Sequence, residues 1–519
     1  MRKQARRQAL LAIVSGCVVL VFGLGASVNL AVGRLAISAL RPTPAQVLWI
    51  VDTYLVAFGC LLIPAGALGD RYGHKRMLSA GLLILAAGSI ASALAPTVLL
   101  LLAGRALAGA GAALILPNSL SLLVDAFPPE ARPQAIAVWT GMTGLGGALG
   151  NVGGGLVLQY YDWQMLFAIA APLAVIAWLM VACAAPNRAG GQTPLDMLGV
   201  GILVPGVFAL LYGIIEGPEH GWTSETVLGS FAAAAVIFTW FVRHGLRREH
   251  PLIDPRLLRL PGLGAGSCGV VLSFVGMYSV FYLNGQYMMS AKGYSPLIAG
   301  LCVMPMAVAL FVVSPRSVTL ARRHGPRKTL MAGLFSLAAG LALLACCTRS
   351  TPYPVYGAIL LLIGLGSALS NPLLSMAIIA SLPPGQAGIG TGINSFTREI
   401  GGALGVALFG SLLNAAYAQR LPPPVRLLVG PADGPAGRAI GSTLAAIHQH
   451  AGAQAARLEA LAQDAFTDAM GLALLVVVAL LLLGSIPVAL WIREGITAPE
   501  SPAAAKGDRS SWPRPSAPG

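Results

Sequence analysis

Long apolar runs, each bounded by a short polar or basic stretch, recur along nearly the whole chain. A helix needs about 20 apolar residues to cross the hydrocarbon of a bilayer. Fourteen stretches reach that length, at roughly 9–31, 46–69, 77–95, 98–120, 135–158, 165–184, 197–216, 226–243, 263–284, 297–319, 329–347, 355–378, 389–417 and 467–492, with ends good to a few residues. The pattern predicts an all-α polytopic membrane protein with 14 transmembrane helices. An even number puts both ends of the chain on one side.

Lysine and arginine choose that side, because they gather in cytoplasmic loops. With the N-terminus inside, 22 basic residues fall in internal segments and eight outside. Four of those eight (Arg420, Arg426, Arg438, Arg457) share the long segment 418–466, and long loops cross largely regardless of charge. The remaining three (Arg105, Arg316, Arg398) lie in spans. The expectation is N-in, C-in. Arg2, Lys3, Arg6 and Arg7 precede the first run. So many spans follow it that it reads as a retained helix, not a cleaved signal.

Composition supports a lipid-covered chain. Only 10% of the 519 residues are charged and 56% are hydrophobic, with a mean hydropathy of +0.76. A soluble domain carries about 25% charged residues. The net charge of +14 lies in short clusters between spans, which argues against nucleic acid as a partner. All seven cysteines lie inside apolar runs, so no disulfide framework is expected. No phosphate-cradling Gly-x-x-x-x-Gly-Lys-Ser/Thr occurs, no Cys/His cluster has zinc spacing, and His448-x-His450 reads as solvated surface. No cofactor and no enzymatic activity are expected.

Two loops repeat. Gly66-Ala-Leu-Gly-Asp70-Arg71-Tyr-Gly73-His-Lys75-Arg76 follows span two, and Arg322-Arg323-His324-Gly325-Pro326-Arg327-Lys328 follows span ten. Setting Gly73 on Gly325 gives an offset of 252 residues, or eight spans. Spans one to six then match nine to fourteen. The expected organisation is two six-helix bundles, 1–184 and 263–492, separated by two inserted helices and a linker at 185–262. Segment 418–466 is an external loop whose Ala-rich part forms one or two amphipathic helices, and 493–519 is a disordered cytoplasmic tail. Repeated bundles are a common basis of alternating access, with the binding site at their interface near the midplane.

Gly66 to Arg76 resembles the loop signature of the major facilitator superfamily. The whole chain from about residue 10 to 492 is similar to the fourteen-span drug:proton antiporters of that superfamily. Arg105 with Gly109 and Gly111 resembles their span-four arginine motif. Gly146, Gly150, Asn151, Gly154 and Gly155 resemble their glycine-rich antiporter motif, with Asn151 where proline is usual. Further echoes are Asp196, Gly199, Trp222, Pro251–Asp254, Gly293, Ser295, Gly300, Pro305 and Arg398–Gly402. Trp49-Ile-Val-Asp52-Thr-Tyr54 is closest to exporters of quaternary ammonium and other lipophilic cations. The family's span-one aspartate has no counterpart in 23–28, before Asn29, which shifts weight to the remaining acids. The resemblance implies a proton-driven exporter of small lipophilic or cationic compounds, working as a monomer on the proton gradient alone. An Ala-, Gly- and Arg-rich composition hints at a high-GC bacterium, and the expected location is its plasma membrane. The resemblance also implies a gate latch at Asp70. Import or lipid movement on the same fold is the alternative, since fold does not set direction. A sensor or membrane enzyme would need an output domain or catalytic constellation.

Ionisable groups inside a membrane are costly and mark a pathway or a pair. Asp52 lies about 9 Å and Arg105 about 11 Å below the outer ends of spans two and four. They fit either a proton site or a fixed ion pair. Glu399 lies about 15 Å into span thirteen, near the midplane, where a carboxyl group is placed to load and release protons. Arg398 points about 100° away from it around the helix. Gly146, Gly150 and Gly154 share one face and permit close helix approach. Trp49, Tyr54, Trp139, Phe274, Tyr278, Phe281 and Tyr282 fit a cage for a lipophilic cation, and equally a lipid-facing belt.

Overall fold

A computed structural model describes residues 2–36, 38–185, 194–382, 387–429, 440–450 and 454–491. The tail expected at 493–519 lies outside the described residues. Within them the chain is helical throughout, with no strand.

The first half contains α1 (Arg2–Ala36), α2 (Pro44–Tyr72), α3 (His74–Ala93), α4 (Val98–Ala126), α5 (Arg132–Tyr160) and α6 (Gln164–Ala184). Then come α7 (Met197–His220) and α8 (Glu225–Arg247). The second half contains α9 (Pro261–Gln286), α10 (Pro296–Leu301), α11 (Met304–His324), α12 (Pro326–Ala345), α13 (Tyr353–Ala380) and α14 (Ala387–Arg420). Two short helices, α15 (Pro423–Val429) and α16 (Ile440–His450), precede α17 (Ala455–Trp491).

Local chemistry sets the helix starts. Thr43 opens α2 with a capping box, its side chain accepting from Gln46 N–H while Gln46 reaches back to its backbone. Thr97, Asp196, Ser224 and Ser295 cap α4, α7, α8 and α10 in the simpler way. The predicted tenth span is broken between α10 and α11. Pro305 stands at the start of α11, where it has no N–H to give to the preceding turn.

Thirteen helices among the described residues are long and apolar enough to cross a membrane. The one expected span outside that set is the fifth, which is α5, a helix of 29 residues. Eight glycines and Asn151 dilute its apolar content. Its burial against α1 and α11 makes up for this. Of the predicted amphipathic stretch, α16 is a separate short helix, while the part through Leu458 and Leu461 belongs to the last span: α17 begins at Ala455 and runs on unbroken, burying Leu458, Ala462 and Phe466.

Buried apolar side chains form two clusters. One draws on residues between Leu10 and Ala185. The other lies mostly between Ile202 and Val488 and reaches Val56, Cys60, Ile63, Ala67 and Ala148. The halves meet where α2 packs on α14 and α5 on α11. The repeat extends beyond its loops. Gly73 and Gly325 have φ of 96° and 91°, and each ends one helix and begins the next. Gly81 packs on Gly111 of α4, and Gly333, 252 residues later, packs on Gly366 of α13.

Candidate functional site

A cavity of about 530 Å³ lies between the halves, lined by α1, α2, α5, α7, α9, α10 and α14. Asp52 of α2 and Glu399 of α14 both face it. Its walls include Tyr54, Phe274, Tyr278, Phe281 and Tyr282, with Asn29, Asn151 and Asn284 as polar breaks. Of the expected lining residues, Asn29, Tyr54, Tyr278 and Tyr282 are therefore in place. Trp49 instead stacks on Tyr212 of α7, with ring centroids 5.9 Å apart. Trp139 is fully buried, and its indole N–H donates to Ser119 Oγ at 3.0 Å. The inserted α7 also lines the cavity through Leu211 and Ile215, which periodicity did not single out.

Two buried arginines stand behind the walls. Arg105 is 1% exposed, gives Nε–H to the Ile50 carbonyl at 2.9 Å, and lies 4.5 Å from the centre of the Tyr54 ring. It thus grips the backbone just before Asp52 and feels its charge. Arg398 reaches across the halves and donates Nη2–H to Thr143 Oγ1 at 2.8 Å. Its charge lies 5.2 Å from the centre of the Trp139 ring and 4.7 Å from that of Phe274. Its guanidinium thus lies among rings of both halves, while Glu399, the next residue, faces the cavity.

The glycine motif has a definite partner. A Cβ on Gly146 would come within 2.9 Å of Val19, one on Gly150 would enter the Gly23 backbone, and one on Gly154 would come within 2.6 Å of Ser27. The glycines of α5 meet Val19, Gly23 and Ser27 of α1 at the same four-residue spacing, so the two backbones touch. The stretch of α1 that lacks an acid is the one this contact uses. Gly155 faces Leu297 of α10 instead, and Asn151 stands beside Gly300.

At one end the cavity is shut. Asp70 accepts from the first N–H groups of α14, Gly388 at 2.8 Å and Ile389 at 3.0 Å. An anion suits a helix N-terminus, where four N–H groups lack intrahelical partners. Gly66 lets the helices come this close, since a Cβ there would strike the Gly388 carbonyl. Ser121 and Thr391 hydrogen-bond across the same end at 2.8 Å. Lys75 gives its ammonium to the Ala182 carbonyl at 2.8 Å, Arg71 lies 5.5 Å from the centre of the Tyr72 ring, and Arg76 is exposed. On the other flank, Arg322 donates to the Glu130 carbonyl at 2.9 Å.

Sequence reasoning missed Asn118. Its amide donates to the Ala65 carbonyl at 3.1 Å, and its oxygen meets His74 Nδ1 at 3.0 Å. The signal available was a buried amide next to Pro117 in an apolar run. The echoes in the inserted region acquire partners. Asp196 accepts from Gly199 N–H, Leu252 N–H and His244, closest at 2.9 Å, clasping α7, α8 and the following loop. Burial pushes the Asp196 carboxyl up, but these donors outweigh it and hold the group below its ordinary range. Trp222 donates to Ser411 of α14 at 3.0 Å.

A chain of this many apolar spans, hollow between two packed halves and tied shut at one end, is a multi-pass membrane transporter and not an enzyme. Residues 11–406 match the Major Facilitator Superfamily, and the chain belongs to it. The multidrug resistance protein Stp of Mycobacterium tuberculosis (strain CDC 1551 / Oshkosh) is 31% identical over 72% of this chain and 70% of its own. The methylenomycin A resistance protein of Streptomyces coelicolor is 31% identical over 73% and 80%. The multidrug efflux pump LfrA of Mycolicibacterium smegmatis is 28% identical over 82% and 84%. Among solved structures, a bacterial homolog of the human lysosomal transporter Spinster, inward-facing and unoccupied, aligns with a TM-score of 0.58 at 15% identity. It covers 94% of this chain and 97% of that one, which supports the fold alone.

Proposed function

We propose that this protein exports small lipophilic drugs, antibiotics or organic cations across a bacterial plasma membrane in exchange for protons. The observation that carries this reading is the pairing of Asp52 and Glu399, one from each half, on a single aromatic-walled cavity. Relatives named for multidrug resistance and antibiotic export support the substrate class.

The latched end is the cytoplasmic one, with both chain ends inside. The latched form therefore receives protons from outside, and they displace substrate from the carboxylates. Opening the Asp70 latch and rocking the two halves exposes the cavity to the cytoplasm. There protons leave and substrate binds. Each charge moved gains about 2.3 kcal/mol per 100 mV. One proton exchanged for one monovalent cation is electroneutral and runs on the pH gradient alone. The protein acts as a monomer, with lipid, substrate and protons as its partners and no bound cofactor.

The test uses inverted membrane vesicles carrying a proton gradient, challenged with a panel of lipophilic cations and neutral antibiotics. A compound that collapses the gradient with wild type, but not with Asp52→Asn or Glu399→Gln, supports antiport through these acids. Variants indistinguishable from wild type remove the acids from the mechanism. A panel with no active compound removes the export reading.

A further inference from the structure

Between the latch and the cavity, α14 carries a polar stripe. Thr391, Asn394 and Arg398 follow at intervals of three and four residues and share one face of the helix. Thr391 is bonded to Ser121. The two residues above it are not satisfied. Asn394 is 0% exposed, and neither its amide nitrogen nor its oxygen has a partner. Arg398 is 1% exposed, and its Nε and Nη1 have none. The rings of Trp139 and Phe274 shelter the charge but accept no in-plane N–H bond.

Buried polar groups left unmade cost the desolvation they do not recover, more so when charged. This cost falls one hydroxyl behind the cavity wall, because Thr143, the hydrogen-bond partner of Arg398 among the described residues, lines the cavity. The next residue, Glu399, faces the cavity itself. A fixed cation and an exchangeable anion therefore stand side by side on one helix.

We propose that Arg398, with Asn394 one turn below it, is the subsite for an acidic oxygen group of an amphoteric substrate whose amine is held by Glu399. The inference rests on the reading of the cavity as the transport site. A guanidinium presents a planar fork of N–H donors matched to a carboxylate or phenolate, and it keeps its charge at working pH. Proton and amine compete for Glu399, while the oxygen group is anchored throughout. A simple cation leaves the Arg398 donors unmade. A simple anion lies beside an ionised glutamate. A molecule carrying both groups pairs both charges and brings no net charge into the low-dielectric interior.

Three fluorescent probes of one shape test this in proteoliposomes: dansylcadaverine (amine only), Nα-dansyl-lysine (amine and carboxylate) and Nα-dansyl-norleucine (carboxylate only). Wild type should take dansyl-lysine with at least tenfold lower half-saturation than dansylcadaverine. Arg398→Gln should abolish that preference while changing dansylcadaverine exchange less than threefold, which also reports that the variant is folded. If it does not fold, Arg398→Lys decides: it should lose at least threefold for dansyl-lysine alone. Equal losses for both probes, or no preference in wild type, overturn the proposal. Proton-coupled movement of dansylcadaverine with no preference sinks the subsite and leaves the antiport reading standing. If wild type moves none of the probes with protons, both fall.

Discussion

The turn between α2 and α3 and the turn between α11 and α12 share a backbone and differ in chemistry. Gly73 and Gly325 hold nearly the same φ and ψ, and each donates its N–H four residues back, to Gly69 and Ala321, at 2.9 Å. At the shared offset, Asp70 of the first turn corresponds to Arg322 of the second, and Gly66 to Val318. The first turn offers an anion to two N–H groups at the start of α14. The second offers a cation to one carbonyl just before α5. The two turns share a scaffold, while their side chains put an anion on a helix start at one crossing and a cation on a single carbonyl at the other. On the proposed reading the latch belongs to one half, and substitutions made in matched pairs should reveal the asymmetry.

The largest difference is expected at the helix contact. In Gly66→Val the new side chain meets the Gly388 backbone, which cannot rotate away. Overpacking of this kind costs about 1–3 kcal/mol, and each 1.4 kcal/mol is tenfold in an equilibrium. Transport, followed as substrate-driven collapse of the proton gradient, should fall at least tenfold while the protein still purifies as a folded species. Val318→Ala, at the matching place, only trims a buried side chain and should leave transport within twofold. Equal losses would mean that the two crossings are equivalent after all.

Asp70→Ala comes next. It strips two N–H groups at a helix start of their acceptor, at a cost of about 1–2 kcal/mol to the latched form. Energy transfer between labels at Tyr72 and Arg327, one on each turn, should report a longer mean distance across that end, with transport about five- to tenfold slower. Arg322→Ala removes a single exposed bond, an effect of about 0.5 kcal/mol, and should leave both readouts close to wild type. A lengthening as large with Arg322→Ala as with Asp70→Ala would put the latch on both flanks.

Most of the fold is legible in the sequence because the membrane permits so few structures. Backbone groups in lipid must bond internally, so an apolar run of the right length has to be a helix. The loop repeat is legible because a glycine at positive φ is costly to replace. What the sequence leaves open is contact between helices distant in the chain. Gly146, Gly150 and Gly154 announce a close approach, but nothing in α5 says that Val19, Gly23 and Ser27 form the other side. Asp52 and Glu399 stand out as rare intramembrane acids, yet only packing puts them on one cavity. Trp49 and Trp139 looked like cavity residues because an aromatic ring serves equally as wall, belt or filler. Arg398 stands out in the sequence, but the bond it makes reaches a residue 255 positions away, and its two unmade donors depend on packing that periodicity does not show.

The shared backbone carries its own prediction, in which the two turns should behave alike. Gly73→Ala and Gly325→Ala each force a Cβ into a region that L-residues rarely adopt, at about 1–2 kcal/mol. Thermal unfolding in detergent should show similar losses for both. A drop confined to Gly73→Ala would mean that Gly325 sits in a turn able to relax, and the match would then be one of sequence only.

The smallest effect tests a part of the molecule that belongs to neither half. Asp196 clasps α7, α8 and the loop before α9, and its side chain is 5% exposed. Its carboxyl is held below the ordinary range, so the folded form favours the charged state more than the unfolded chain does. That stabilisation is present in full above the unfolded value, near pH 4, and is lost as pH falls through the lower folded value. Asp196→Asn retains one acceptor oxygen and should cost about 1 kcal/mol at pH 7. The gap between wild type and variant should shrink only below about pH 4. Transport should stay within twofold, because the clasp ties the inserted pair to its own loop and touches neither acid of the cavity. A larger loss of transport would make α7, whose Leu211 and Ile215 line that cavity, part of the moving machinery, and the comparison of two halves would have to become one of three bodies.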